Sequence, residues 1–217
     1  MMNQKGTSPL HSVPRPTLSN LLLWSLLGAA CFAVSQIFLR IPLLNSLQKS
    51  TAYLAFLAAN ENLALWVGVL IALSAGLFEE GFRFLFKQFL LKSAKSPYAQ
   101  AWVFGLGHAL CEAAYFFVPL FSVYPLFALL PGLFERFLTV FVHIGLTFIV
   151  WNSFQRGRKW AGLFTAILVH GLIDAAIPIL HYFKSSQWIW LVLIISALAL
   201  LAYAFISKKY YREEGIS

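Results

Sequence analysis

Six long apolar stretches are the feature that most constrains the fold of this chain. A helix needs about 20 apolar residues to cross a bilayer. We predict six such spans, at residues 17–39, 62–91, 98–118, 133–154, 160–182 and 187–207. They take up most of the 217 residues, of which only 11% are charged, whereas soluble domains are about 25% charged. The sequence therefore predicts an all-α polytopic membrane protein with one transmembrane domain, residues 17–207.

The remaining residues form two polar tails and short connections. We expect residues 1–16 to be a disordered cytoplasmic tail and residues 208–217 a second cytoplasmic tail. Residues 40–61 are mixed and amphipathic, which indicates an interfacial helix or a loop. Three prolines predict a broken connection before the fourth span, namely Pro119, Pro125 and Pro131.

The distribution of positive charge predicts the orientation in the membrane. Cytoplasmic loops of membrane proteins carry an excess of Lys and Arg. If the N-terminus is inside, the inner segments hold eleven of these residues and the outer segments three, namely Arg40, Lys49 and Lys184. Both termini are therefore predicted to be cytoplasmic in a multi-pass protein of the cell membrane. The net charge of +8 is explained by this bias, so we expect the lipid bilayer and not nucleic acid as a partner.

Ionisable residues inside the spans indicate a functional site. Each costs roughly 2.5–3.5 kcal/mol on insertion scales. Even so, five of the eight acidic residues lie within predicted spans, together with two arginines and three histidines. These residues are Glu79, Glu80, Glu112, Glu135, Asp174, Arg83, Arg136, His108, His143 and His170. Such residues usually mark a substrate, ion or proton pathway.

Four of these residues lie at a similar depth although they belong to four different helices. A helix rises about 1.5 Å per residue, which puts one residue of each helix roughly 15–18 Å from the cytoplasmic end of its span. These residues are Glu80, His108, His143 and His170. We therefore predict one layer of ionisable groups near the middle of the membrane.

Spacing and charge within this layer are compatible with a metal. Residues four apart share a helical face. This spacing relates Glu79 to Arg83, His108 to Glu112, and His170 to Asp174. Five acids and two arginines leave a formal charge of −3 within the spans, so protons, charged histidines or a bound cation must balance it. Three histidines with carboxylates could satisfy Zn²⁺.

Four motifs on consecutive spans resemble those of the YhfC-type intramembrane peptidases, which are related to the CPBP (CAAX protease and bacteriocin-processing) and PrsW-type proteases. The motifs are Phe78-Glu79-Glu80-Gly81-Phe82-Arg83, Gly107-His108-Ala109-Leu110-Cys111-Glu112-Ala113, Glu135-Arg136 followed by His143, and His170-Gly171-Leu172-Ile173-Asp174. The CAAX proteases usually show EExxxR, whereas this chain has EExxR, and this spacing favours the YhfC-like branch.

The resemblance implies hydrolysis of a peptide bond in a membrane-embedded or juxtamembrane substrate. The nucleophile would be a water activated by glutamate and histidine, with or without a metal. On this basis we assign Glu79 as general base, with Glu80 as its neighbour and Arg83 holding the pair in place. Glu135 and Arg136 lie about 12 Å nearer the outer face and are expected to be structural.

The histidines complete the predicted site. His108 and His170 would bind a metal or stabilise the oxyanion, with Asp174 orienting His170. His143 is expected at the edge of the cavity, and Glu112 is a supporting residue. The metal ligands predicted from the sequence are His108, His143 and His170.

Two functions from other classes use the same residues. An ion-coupled or proton-coupled transporter also needs buried carboxylates and histidines, but it predicts an internal repeat with matching helix breaks, which the sequence lacks. A non-catalytic membrane scaffold or immunity factor could keep the motifs without the chemistry.

Overall fold

The computed structural model describes residues 16–60, 63–92 and 95–211, and these residues are almost entirely helical, with no strand among them. Six helical stretches are long and apolar enough to cross a membrane. They are Leu18–Gln48, Leu63–Leu90, Tyr98–Ser122, Leu126–Gln155, Lys159–Tyr182 and Gln187–Tyr211. The predicted all-α fold with six spans is confirmed. The predicted tails fall mostly on residues 1–15 and 212–217, which lie outside the described residues.

Eight α-helices make up these stretches and the connection after the first of them. They are α1 Leu18–Phe32, α2 Ile41–Gln48, α3 Thr51–Ala59, α4 Leu63–Leu85, α5 Tyr98–Phe117, α6 Leu126–Gln155, α7 Lys159–Tyr182 and α8 Gln187–Ile206. Two segments of wider π-helix, Ala33–Arg40 and Phe86–Leu90, continue α1 and α4.

The first span is longer than the sequence predicts. It begins where the Thr17 side chain accepts a hydrogen bond from the Asn20 backbone N–H, 3.3 Å away. After α1 the π-helical segment leads directly into α2, because Pro42 lies in the first turn of α2, where a missing N–H is tolerated. Residues 40–61 thus contain two short helices, and α2 and α3 have no buried residues.

The fourth span begins earlier than predicted. Pro125 is the N-cap of α6, and Pro131 lies inside the helix, so the broken connection predicted to extend to Pro131 ends at Pro125. The N–H groups of the first turn of a helix have no intrahelical partner. A proline one turn further in removes a single backbone hydrogen bond, which α6 tolerates.

Close packing between helix pairs positions the middle of the bundle. The main pairs are α4 with α7 and α1 with α5, while α6 contacts α5, α7 and α8. At Gly76 an added Cβ would lie 2.8 Å from the backbone nitrogen of Gly171, and at Gly28 it would lie 2.0 Å from the carbonyl oxygen of Phe104. Only glycine permits these approaches, as is common where membrane helices pack closely.

Candidate active site

Buried ionisable side chains from four helices meet at one place in the bundle. Glu79 and Glu80 come from α4, His108 from α5, His143 from α6 and His170 from α7, and all five are buried. The tight α4–α7 packing puts the acids of α4 against His170. Within the predicted layer, Glu80 contacts His170, and the ring of His108 lies beside that of His143.

Glu79 is the centre of this cluster. Its Oε2 lies 2.9 Å from Nε2 of His108 and 3.8 Å from Nδ1 of His143. Its Oε1 accepts a hydrogen bond of 2.7 Å from Nε2 of Gln36. One ligand atom from each of Glu79, His108 and His143 lies within 4.8 Å of the others, which is close enough for one metal ion.

The donor set and its spacing fit a zinc-like ion. Zinc bonds of about 2.0–2.2 Å in a tetrahedral site put neighbouring ligand atoms roughly 3.3 Å apart, and the distances from Glu79 to the two histidines bracket that value. Two imidazoles and one carboxylate are a common set in catalytic zinc sites. Nε2 of His143 lies 2.5 Å from Oε2 of Glu112, and a carboxylate in this position commonly orients a ligating histidine.

Arg83 occupies the same part of the cluster. It forms an ion pair with Glu80, and its Nη2 lies 3.3 Å from Nδ1 of His143. The guanidinium can only donate, so it takes the Nδ1 lone pair that a metal would need. A metal held there requires Arg83 to withdraw. The guanidinium thus contacts Glu80 and His143, and the sequence-based expectation is that it holds the glutamate pair in place.

His170 lies between two carboxylates. Its Nδ1 is 2.9 Å from Oε1 of Glu80, and its Nε2 is 3.6 Å from Oδ2 of Asp174. The second contact is the one that their spacing of four residues predicts. His170 therefore faces Glu80 and Asp174. Among the described residues, the group close enough to hold a metal is Glu79, His108 and His143. Glu79 thus replaces His170 in the ligand set predicted from the sequence.

His143 has a more central position than the edge predicted for it. Its ring centroid is 4.8 Å from that of His108 and 5.5 Å from that of His170. No partner for His143 could be predicted on its own helix, because Glu135 is two turns away. Its partner Glu112 comes from α5, so spacing within one helix could not reveal the pair.

Two residues of the first span, Gln36 and Arg40, also belong to the site, and neither is among the predicted site residues. Arg40 donates from Nη1 to Oε1 of Gln36 over 3.0 Å, and from Nε to Oγ of Ser74 over 2.9 Å. Since an arginine cannot accept, this contact orients the Gln36 amide so that its NH₂ group donates to Glu79. The available signal was a glutamine inside an apolar stretch with an arginine one turn later.

Glu135 and Arg136 connect to the site through Glu112. Arg136 forms an ion pair with Glu135, and its Nη1 lies 2.5 Å from Oε1 of Glu112. Since Glu112 in turn contacts His143, the pair expected to be structural is one side chain removed from the cluster.

A cavity of about 580 Å³ leads to the cluster. All six spans contribute to its wall, including Gln36, Glu79, Glu112, His143, His170 and Asp174. The cavity therefore gives a molecule in its interior access to Glu79 and to two histidines of the cluster, His143 and His170.

Comparison with known proteins adds a family to this geometry. A family model described as YhfC intramembrane metalloprotease matches residues 19–130 and 118–196, which together cover most of the chain and every residue of the cluster. No curated protein and no solved structure matches the chain.

Proposed function

Since the chain belongs to the YhfC intramembrane metalloprotease family, we propose that it cleaves its substrate in the cavity that ends at Glu79, His143 and His170. The predicted YhfC-type family is confirmed, and with it a protease of the membrane that acts on a peptide or protein. The observation that supports the location is the meeting of Glu79, His108 and His143 within 4.8 Å.

In this proposal Glu79, His108 and His143 hold a divalent ion, for which Zn²⁺ is our first choice. A bound zinc acidifies a water molecule and polarises a carbonyl group. Glu112 supports the ion indirectly, because it holds the far nitrogen of the His143 ring. Gln36 does the same for Glu79, because it fixes the carboxylate oxygen that is turned away from the histidines.

Glu79 has the central role with or without a metal. As a ligand it contributes Oε2. In a metal-free site the same oxygen is the general base that takes a proton from the attacking water, with His108 as its hydrogen-bond partner. Both mechanisms therefore predict that cleavage depends on Glu79. A measurement of bound metal distinguishes between them.

His170 is the second catalytic group of the proposal. It lines the cavity, and carboxylate oxygens of Glu80 and Asp174 lie 2.9 Å and 3.6 Å from its two nitrogens. As an imidazolium it can stabilise the oxyanion and pass a proton to the leaving amine. Arg83 contributes by holding Glu80 in the ion pair.

The experiment that tests this proposal measures metal and cleavage on the same purified full-length protein. We expect about one zinc per chain, loss of cleavage of membrane-segment peptides on chelation, and recovery on adding zinc. His143→Ala should lose both the metal and the activity. His181→Ala is the matched control, because His181 lies on the cavity wall away from the cluster.

Three results would change the proposal. Activity that is indifferent to chelator would support the metal-free version with Glu79 as base. Metal retained in full by His143→Ala would remove the proposed ligand set. If no membrane peptide is cleaved and Glu79→Gln instead abolishes a proton-linked uptake, the transporter becomes the better interpretation.

A further inference from the structure

We propose that the substrate reaches the site only from the extracytoplasmic side, as an extended segment that enters the outer half of the membrane. This inference rests on the proposed function for the identity of the substrate as a peptide. Its geometric part, a cavity whose lining extends from the cluster to one side, rests on the residues that form the cavity wall.

The cavity extends in a single direction from the cluster. On α4 its wall runs from Glu79 back to Gly68, and on α7 from His170 forward to His181. These two helices are antiparallel, so both directions lead to the same side of the membrane. Eleven residues of helix correspond to roughly 16 Å, which is about half of a hydrocarbon core of about 30 Å.

Exposure of the charged side chains rises along the same direction. The side chains of Glu80 and Arg83 are 0% exposed, and Glu79 is 6% exposed. Further along the cavity, the values are 18% for Arg136 and 31% for Asp174. The charged groups on this side of the cluster are thus more accessible than Glu79, Glu80 and Arg83.

A second polar layer closes the opposite side. Lys87, Gln100 and Trp151 are buried, and each lies seven or eight residues inward of the cluster on its helix, or about 10–12 Å. Oε1 of Gln100 accepts hydrogen bonds from Nζ of Lys87 over 3.1 Å and from Nε1 of Trp151 over 3.0 Å. Nζ of Lys87 also lies 5.2 Å from the centroid of the Trp151 ring. We call these three residues the inner layer.

Charge identifies the sealed side as the cytoplasmic one. Beyond the inner layer lie the positively charged connections and the C-terminal segment. They contain Lys92, Lys95, Arg156, Arg158, Lys159, Lys208 and Lys209. Cytoplasmic segments carry this excess, so the open end of the cavity faces the other side of the membrane.

The dimensions of the cavity restrict what can enter. Its volume of about 580 Å³ is within the range of small-molecule pockets, roughly 300–1,000 Å³, so it accepts a few residues of peptide and not a spanning helix. Crossing roughly 16 Å takes about five residues in an extended chain. The substrate class is therefore a peptide segment unwound in the outer leaflet or lying at the extracytoplasmic surface.

Cysteine accessibility in intact host cells tests this inference without any substrate. In the full chain carrying Cys31→Ala and Cys111→Ala, single cysteines replace Thr139 or Ile177 on the cavity wall, Ser186 in the outer connection and Arg158 in the inner connection. A membrane-impermeant cationic thiol reagent is added outside. We expect Thr139→Cys, Ile177→Cys and Ser186→Cys to react in intact cells, and Arg158→Cys only after permeabilisation.

The inference would be overturned if both cavity cysteines reacted only after permeabilisation, or if neither reacted before or after it. External reaction of Arg158→Cys would overturn the orientation and the inference with it. If the expected labelling is found but no peptide is cleaved, the one-sided cavity stands and the proposed function fails. If peptide is cleaved but the cavity cysteines react from the cytoplasmic side alone, the proposed function stands and the inference about extracytoplasmic access fails.

Discussion

Oε2 of Glu79 lies 2.9 Å from Nε2 of His108, although the two residues are 29 positions apart and belong to different spans. This contact joins the first two motifs into one site. Because His143 approaches the same oxygen to 3.8 Å, the chemistry of three helices depends on a single carboxylate atom.

Replacing Glu79 by Gln should therefore abolish cleavage in a protein that remains folded. The amide keeps the shape but loses the basicity and the negative charge, and a general base contributes about 10²–10⁴-fold in rate. Cleavage of a fluorogenic membrane-segment peptide measures the loss, and elution from gel filtration checks folding. Glu135→Gln removes a carboxylate outside the cluster and should retain most of the activity. An active Glu79→Gln enzyme would remove Glu79 from the mechanism.

Gln36→Glu should weaken metal binding, because it replaces the hydrogen-bond donor that faces Oε1 of Glu79 with another carboxylate. Loss of such an indirect partner typically costs about 10–100-fold in metal affinity or activity. Competition titration with a chromogenic zinc chelator measures the affinity. Gln48→Glu is the matched control, since Gln48 is exposed on the same span. Equal affinity in both variants would contradict a role for Gln36 at the site.

Two substitutions in the inner layer should have opposite effects on stability. Gln100→Leu leaves the buried Lys87 ammonium and Trp151 N–H without their shared acceptor, and each such group costs about 1–3 kcal/mol. Lys87→Met removes a buried charge and keeps the volume, so the free energy of unfolding should be unchanged or higher. Unfolding in mixed detergent and SDS micelles gives both values. A Lys87→Met protein less stable than Gln100→Leu would contradict this account.

Gly76→Ala should reduce activity by separating α4 from α7. The new methyl group would lie 2.8 Å from backbone atoms of Gly171 and Ile167, so the helices must move apart and the 2.9 Å contact between Glu80 and His170 must lengthen. Gly81→Ala is the control, because its Cβ would meet nothing within 4 Å. It should stabilise the helix by about 0.5–1 kcal/mol. Cleavage rate and thermal stability, measured on both variants, should diverge in this way.

Much of the fold was predictable from the sequence, since the spacing of apolar stretches dictates where spans occur. The helix predicted at 98–118 is observed at Tyr98–Phe117, and the one predicted at 160–182 at Lys159–Tyr182. The errors concern continuity. The first span continues to Gln48 through Pro42, and α6 includes Pro131, because a proline in or near the first turn of a helix costs little or no backbone hydrogen bonding.

The composition of the site was predictable, whereas only one of its pairs, His170 with Asp174, followed from spacing within a helix. The free-energy cost of placing an ionisable group in a membrane span is enough to mark four residues as candidates for the site. These are Glu79, Glu80, His108 and His170. Spacing within a helix related Glu112 to His108, yet Glu112 contacts His143, because the partner of a side chain in a bundle comes from whichever helix packs beside it. Gln36 has no formal charge, so the cost of burying a charge could not single it out.

The inner layer has an electrical consequence for the cell. A hydrolase needs water, and a cavity that admits water halfway through a bilayer would shorten the insulating path across the membrane. Moving one charge through the full potential is worth about 2.3 kcal/mol per 100 mV, and that drop would then fall mainly across the remaining thickness. Lys87, Gln100 and Trp151 are buried in that thickness and put hydrogen-bonded side chains in the way of protons. Water can thus enter the site while the inner layer blocks a path for protons and ions across the membrane.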